Sequence, residues 1–190
     1  MKRKWSIFRD YYLKTTCFIL VAVAVLFYFC YDRINGRENV LQVIMMDVRC
    51  PMEAQEEFEK ESGDVINIDT QKEFVELSFC HSQEMLVTLM VNTKVDIFLM
   101  NEMYFEIMSS QQCLAPLDEM LEKEILHTNP KENLVIYKGE DGKIYGFSVR
   151  DHQWMKQFGL ESDDDIILGI VESGDNRQNA DEFAVFLLAE

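Results

Sequence analysis

The chain has 190 residues, 48% of them hydrophobic, with 3 prolines and 8 glycines, a composition that argues against disorder and leaves room for one ordinary domain plus a modest appendage. Its 18 basic and 34 acidic residues give a net charge of −16, too acidic for a nucleic-acid binder, so that class is set aside. The charge is uneven, since residues 1–31 carry Lys2, Arg3, Lys4, Arg9 and Lys14 against Asp10 alone, leaving 13 basic and 33 acidic residues, a net of −20, in the rest.

In chain order the first feature is TTCFILVAVAVLFYFCY, Thr15 to Tyr31, seventeen uncharged residues between Lys14 and Asp32. That length is just enough for one membrane crossing. The basic residues crowd its N-terminal side, so the positive-inside tendency places residues 1–14 in the cytoplasm and the acidic remainder outside the cell membrane. KRKW with Arg9 and Lys14 suits anionic lipid at the inner leaflet but more simply sets topology, and Trp5, Tyr11 and Tyr12 fit an interfacial belt. The apolar run ends in FYFCYDR, without the small residues of a cleavage site, which favours an uncleaved anchor. Neither Cys17 nor Cys30 follows a lipoprotein box. Residues 32–39 form a tether and residues 40–190 an extracytoplasmic domain. Its three cysteines, Cys50, Cys80 and Cys113, allow either one disulfide plus a free thiol or three free thiols, and no CxxC or His-x-Cys spacing suggests zinc.

VLQVIMMDV, Val40 to Val48, has the near-continuous apolar pattern of a buried strand. Pro51 opens a helix, PMEAQEEFEKES, with Glu53, Glu56 and Glu57 toward its positive end and Gly63 as its stop. DVINID is predicted as a short strand and FVELSF as a half-exposed one. Ser82 caps a helix with Met85, Leu86, Leu89 and Met90 on one stripe, running to about Thr93. VDIFLM is the next strand, Asn101 the cap of a helix striped by Tyr104, Phe105 and Met108, and after CLAP a second helix begins at LDEMLEKEIL. NLVIYKGEDGKIYGFSV reads as a hairpin with Asp141-Gly142 at positive φ. DHQWMKQFG is a short helix ended by Gly159, DIILGIV a buried strand, and Asn179 caps a last helix with Phe183, Phe186 and Leu187 on one face. The alternation predicts an α/β fold with a mostly parallel sheet flanked by helices and right-handed crossovers.

An anchor or signal, a first strand ending in Asp, EEFEKESG, VINI, EMLVTLM, then VDIFLMNEMYFEIMSSQQCLAPLDEML and DGKIYGFSV together resemble the N-terminal lobe of extracellular solute-binding proteins of ABC transporters, over about Val40 to Val149. The resemblance implies a periplasmic-binding-protein-like fold, normally two α/β lobes that trap a small solute between them, with an ABC permease or a sensor as partner. The sequence departs from that pattern after Val149, where only sixteen residues precede Ile166 and a second lobe would need on the order of 100. IILGIVESGDNRQNADEFAVFLLAE then resembles the strand and helix that close the first lobe. The expectation is a single lobe, unable to shut on a ligand by hinge motion.

Ligands of open α/β sheets sit outside the carboxyl ends of the strands. The ligand-binding candidates there are Asp47 and Arg49 after the first strand, Asp69 after the second, Asn101, Glu102 and Tyr104 after the third, and Arg150. The structural alternative is that Asn101 caps its helix, Glu102 faces the dipole and the others are solvated. His81, His127 and His152 have no partner at ligand spacing and are expected at caps or on the surface, and the DDD of 163–165 looks like a solvated loop. GxSxG, P-loop and GxGxxG motifs are absent, so no catalytic residue, metal or cofactor is expected and an enzyme is the least favoured class. The leading expectation is a membrane-anchored, non-catalytic accessory or sensor for a transporter. The alternatives are a true solute-binding component that completes its cleft by dimerisation or with a partner protein, and a truncated, degenerate copy.

Overall fold

The structure is a computed structural model that describes residues 17–25, 36–92, 94–127 and 134–189. The chain divides into two units, Met1–Arg37 and Glu38–Glu190. In the first, residues 17–25 are helical (α1) and exposed. The rest of the predicted anchor, like the basic segment before it, lies outside the described residues, and no described helix is long and apolar enough to cross a membrane.

The second unit runs β1 (Glu38–Met46), α2 (Met52–Val65), β2 (Glu73–Cys80), α3 (Gln83–Asn92), β3 (Ile97–Met100), α4 (Glu102–Ser110), α5 (Asp118–His127), β4 (Ile136–Lys138), β5 (Ile144–Ser148), α6 (Gln153–Gln157), β6 (Ile167–Ile170) and α7 (Arg177–Ala189). The strands form one sheet in the order β2-β1-β3-β6-β5-β4. From Leu41 onward β1 alternates between two apolar layers. Leu41, Val43 and Met45 face Phe58 of α2, Trp154 and Phe158 around α6, and Phe183 of α7, whereas Ile44 and Met46 face Leu86 of α3 and Tyr104, Phe105 and Met108 of α4. A strand buried on both faces has no solvated side, which is why its sequence reads as a nearly continuous apolar run, broken only by Gln42, whose side-chain amide donates to Ser78 Oγ at 3.0 Å.

The expected mostly parallel sheet is corrected to a mixed one. β1 pairs in parallel with β2 and β3, but β3 with β6, β6 with β5 and β5 with β4 are antiparallel. Parallel neighbours need a crossover that carries the chain back to the starting edge of the sheet. The stretch after β5 makes no such journey: Ser148 pairs with Ile167 and the Val149 N–H donates to the Ile166 carbonyl at 2.8 Å, so β6 starts where β5 ended and must run the other way.

Four local expectations also change. DVINID is not a strand: α2 continues to Val65, and Asn67, at φ 54°, turns the chain toward β2. Gly63 lies inside α2 rather than ending it, because its bare Cα lets Ile68 fold against the helix; a Cβ there would meet the Ile68 Cδ1 at 2.9 Å. Of Asp141 and Gly142 only the glycine takes positive φ, 83°. Asn179 does not cap α7 but sits in its first turn, where the side-chain amide donates to the Val40 carbonyl at 2.8 Å and ties the helix to β1. The expected caps at Ser82 and Asn101 are present, accepting from the Met85 and Tyr104 N–H groups at 3.2 and 3.0 Å, and Gly159 follows α6 at φ 62°.

Candidate functional site

Because β1, β2, β3 and β5 point the same way, their carboxyl ends share one edge, where α2, α3 and α4 begin. β1 leaves this edge through Asp47 at φ 55°, a left-handed conformation that Asp tolerates better than most residues. The Asp47 N–H donates to the Cys80 carbonyl at 3.3 Å, closing the β1–β2 ladder, and the turn sends Val48 into the core while the Asp47 carboxylate stays exposed. Arg49 then forms an isolated antiparallel bridge with Glu161, and its guanidinium pairs with Asp163 at 2.9 Å.

The sequence-predicted candidates separate into groups. Asn101, 9% exposed, spends its side-chain oxygen on the helix cap. Exposed Glu102 follows it in the first turn of α4. Tyr104 is 4% exposed, and its phenol is pushed above the usual tyrosine range by burial first and then by the Asp47, Cys80 and Glu84 charges. Asp47 and Tyr104 thus lie at the same edge of the sheet, as does Glu84 in the first turn of α3, which no sequence signal singled out. Asp69 does not belong here. It precedes β2, at the opposite, amino edge of the sheet, where it pairs with Lys72 at 3.1 Å, and that bond holds its carboxyl below the ordinary range.

Further along the edge, Arg49, Arg150 and Lys156 line a depression of about 360 Å³ with Asp151, Glu161 and Asp163. Each cation already has a partner: Arg49 with Asp163, Lys156 with Asp151 at 2.8 Å, and Arg150 with the Asp164 carbonyl at 2.8 Å. Exposed pairs of this kind contribute little to stability, and the carboxylates of Asp151, Glu161 and Asp163 offset the cations so that the depression carries no positive excess. Beside them Asp165, expected in a solvated loop, accepts from Tyr137 Oη at 2.8 Å, Ser148 Oγ at 2.7 Å and the Ile166 N–H at 2.8 Å. It therefore latches β4 and β5 to the start of β6. Burial, then the Asp165 bond and the nearby Glu102 charge, push the Tyr137 phenol far above its ordinary value.

The amino edge is built for cohesion. Asp96, fully buried just before β3, accepts from the Gln42 N–H at 2.9 Å and from the Asn176 N–H and side-chain amide at 3.0 Å each. The Cys50, Cys80 and Cys113 thiols are free, and burial pushes all three up, away from the thiolate form that reacts. His152 caps α6, its Nδ1 accepting from the Trp154 N–H at 3.2 Å. His81 is exposed, and the His127 side chain lies outside the described residues. Among the described residues no three His, Cys, Asp or Glu side chains gather as for a metal ion.

No family model matches the chain, and no curated protein matches it in sequence. Among solved structures it is similar to the ABC substrate-binding protein Lmo0181 from Listeria monocytogenes in complex with cycloalternan, at 19% identity and TM-score 0.37, covering 60% of this chain and 29% of that one. It is also similar to the N-glycan transport solute binding protein NgtS from Streptococcus pneumoniae. In complex with Man5GlcNAc that protein gives 15% identity and TM-score 0.37, covering 67% of this chain and 30% of the other. In complex with Man1GlcNAc it gives 12% identity and TM-score 0.34, covering 58% and 25%. The chain spans less than a third of the length of these proteins.

Proposed function

We propose that the chain is a membrane-anchored, extracytoplasmic recognition module of solute-binding-protein type, without a catalytic role, acting as an accessory or sensor beside a transporter. The observation that carries this reading is the junction between β5 and β6. The Val149 N–H reaches the Ile166 carbonyl at 2.8 Å, and the sixteen residues between them supply α6 and a loop where the resembled family inserts its second lobe. The carboxyl edge therefore faces outward with no opposing wall in the described unit. A small solute held on one side keeps much of its surface in water, whereas capture sites normally bury most of the ligand. Binding strength must then come from a partner that brings its own surface. The seventeen-residue uncharged run from Thr15 to Tyr31 supports the anchor.

The test uses the full-length protein in detergent or nanodiscs. Free sugars and amino acids at millimolar concentration are expected to leave Tm within about 1 °C, since appreciable stabilisation requires a concentration well above Kd. A permease or sensor kinase is expected to co-purify in fixed stoichiometry. Micromolar binding of a free sugar or amino acid by the monomer would overturn the reading, as would purification from native membranes without any stoichiometric partner.

A further inference from the structure

β2 is the last strand on one side of the sheet, and among the described residues it pairs with β1 alone. Successive main-chain groups of a strand point to opposite sides, so one row of β2 N–H groups serves β1 and the other faces away from the sheet. The outer row is identified by where two of its members go. The Glu73 N–H donates to the Asp69 carbonyl at 2.8 Å, and the Leu77 N–H donates to Glu59 Oε1 at 3.0 Å. The Cys80 carbonyl belongs to the inner row, since it accepts from the Asp47 N–H at 3.3 Å. The period of two then places the Val75 and Phe79 main-chain groups on the outer row as well.

A strand edge of 8 residues is long enough to template another strand. Placed antiparallel about a two-fold axis through Leu77, a second copy sets Leu77 opposite Leu77, Val75 opposite Phe79 and Glu76 opposite Ser78. These are apolar or uncharged pairings, with no like charges of the strand face to face. Glu76 is in any case turned toward β1, where it accepts from Asn39 Nδ2 at 2.9 Å. What stands in the middle of this edge is Glu59. It is half-buried on α2, and its carboxylate holds the one N–H that the central ladder bond would need. An incoming strand would have to displace it, breaking a charge-assisted bond and covering a carboxylate left without its donor.

We infer that Glu59 guards the edge of the sheet: by holding the Leu77 N–H it closes β2 against antiparallel pairing with β2 of a second copy. Removing the carboxylate turns the same edge into a dimer interface.

The experiment measures the mass of the full-length protein in detergent by light scattering across the micromolar range. Wild type is expected to show no pairing through β2, and Glu59→Ala to dimerise as its concentration rises. Glu59→Gln is expected to behave as wild type, because its amide oxygen still accepts the Leu77 N–H. Adding Leu77→Pro to Glu59→Ala is expected to abolish the dimer, since proline is tolerated on an outer edge but offers no N–H. Amide exchange of leucine-labelled protein gives a second readout. The Leu77 N–H should exchange about tenfold faster in dilute Glu59→Ala than in wild type, the scale of one lost hydrogen bond, and slow again in the dimer. The inference is overturned if Glu59→Ala stays single, if Glu59→Gln pairs like Glu59→Ala, or if pairing survives Leu77→Pro. Wild-type Leu77 exchanging as fast as a leucine in an unstructured peptide overturns it without any variant.

Discussion

Asp96 offers the sharpest test of what holds the sheet together. Its own N–H donates to the Gln42 carbonyl at 3.0 Å, while the Gln42 N–H donates at 2.9 Å to its carboxylate, which takes the place of a strand carbonyl at the end of the β1–β3 ladder. The same carboxylate accepts both Asn176 donors just ahead of α7. Asp96→Ala removes the acceptor for two main-chain donors, and Gln42 is only 1% exposed. A buried donor left unpaired costs about 1–3 kcal/mol. With the Asn176 N–H closer to solvent, the total is about 2–5 kcal/mol, or a fall in Tm of roughly 5–20 °C for a domain of this size. Asp96→Asn keeps the shape and one oxygen, so it should cost about 1–2 kcal/mol. The assay is urea unfolding followed by the fluorescence of Trp154, 7% exposed in the core, with Trp5 replaced by phenylalanine in both proteins. A midpoint shift worth less than about 1 kcal/mol for Asp96→Ala at unchanged m-value would show that these bonds do not bind α7 to the sheet.

Other expectations follow from the same contacts. Asn101→Ala removes the cap of α4 and should cost about 1 kcal/mol in the same urea assay; no measurable change would mean that the cap is redundant. Gly146→Ala places a Cβ at 2.8 Å from the Leu168 carbonyl oxygen and 2.8 Å from Ile167 Cγ2, and the strand backbone cannot yield cheaply, so Tm should drop by several degrees. Tyr137 titrates higher in the folded state, so its contribution to stability is complete below the ordinary tyrosine pKa and is lost as pH rises through the folded value. Above about pH 10 the wild type should lose Tm along a different curve from Tyr137→Phe, the two converging as the phenol ionises; parallel curves from pH 8 to 12 would refute the linkage.

What the sequence shows clearly is whatever is decided within a few residues. Ser82 and Asn101 cap helices because a side-chain oxygen two or three positions before an orphan N–H needs no distant partner. The Tyr104, Phe105 and Met108 stripe follows from helical spacing alone. Polar residues whose partners lie far along the chain are misread. Asp96 looks like one polar position in an apolar strand, and only Asn176, 80 residues later, reveals its role. Asp165 is indistinguishable from its neighbours in DDD until Tyr137 and Ser148 reach it from the hairpin. The direction of β6 was hidden for the same reason, since it depends on which edge α6 leaves the chain at. Among the candidate site residues, Asp69 falls at the other edge because DVINID alternates like a strand but is consumed by the end of α2 and its turn. Glu84 was missed because an acidic residue in a first helical turn is the ordinary response to the dipole.

The short segment between β5 and β6 also explains why the two ends of the carboxyl edge differ in charge. It supplies Asp163 to Arg49, Asp151 to Lys156 and the Asp164 carbonyl to Arg150, so the cations at the β5–β6 end are all engaged within the chain. At the β1–β3 end no basic residue is delivered to Asp47 or Glu84 by any described element. One end is thus balanced from within, whereas the other keeps the exposed Asp47 and Glu84 carboxylates without an ion-pair partner among the described residues.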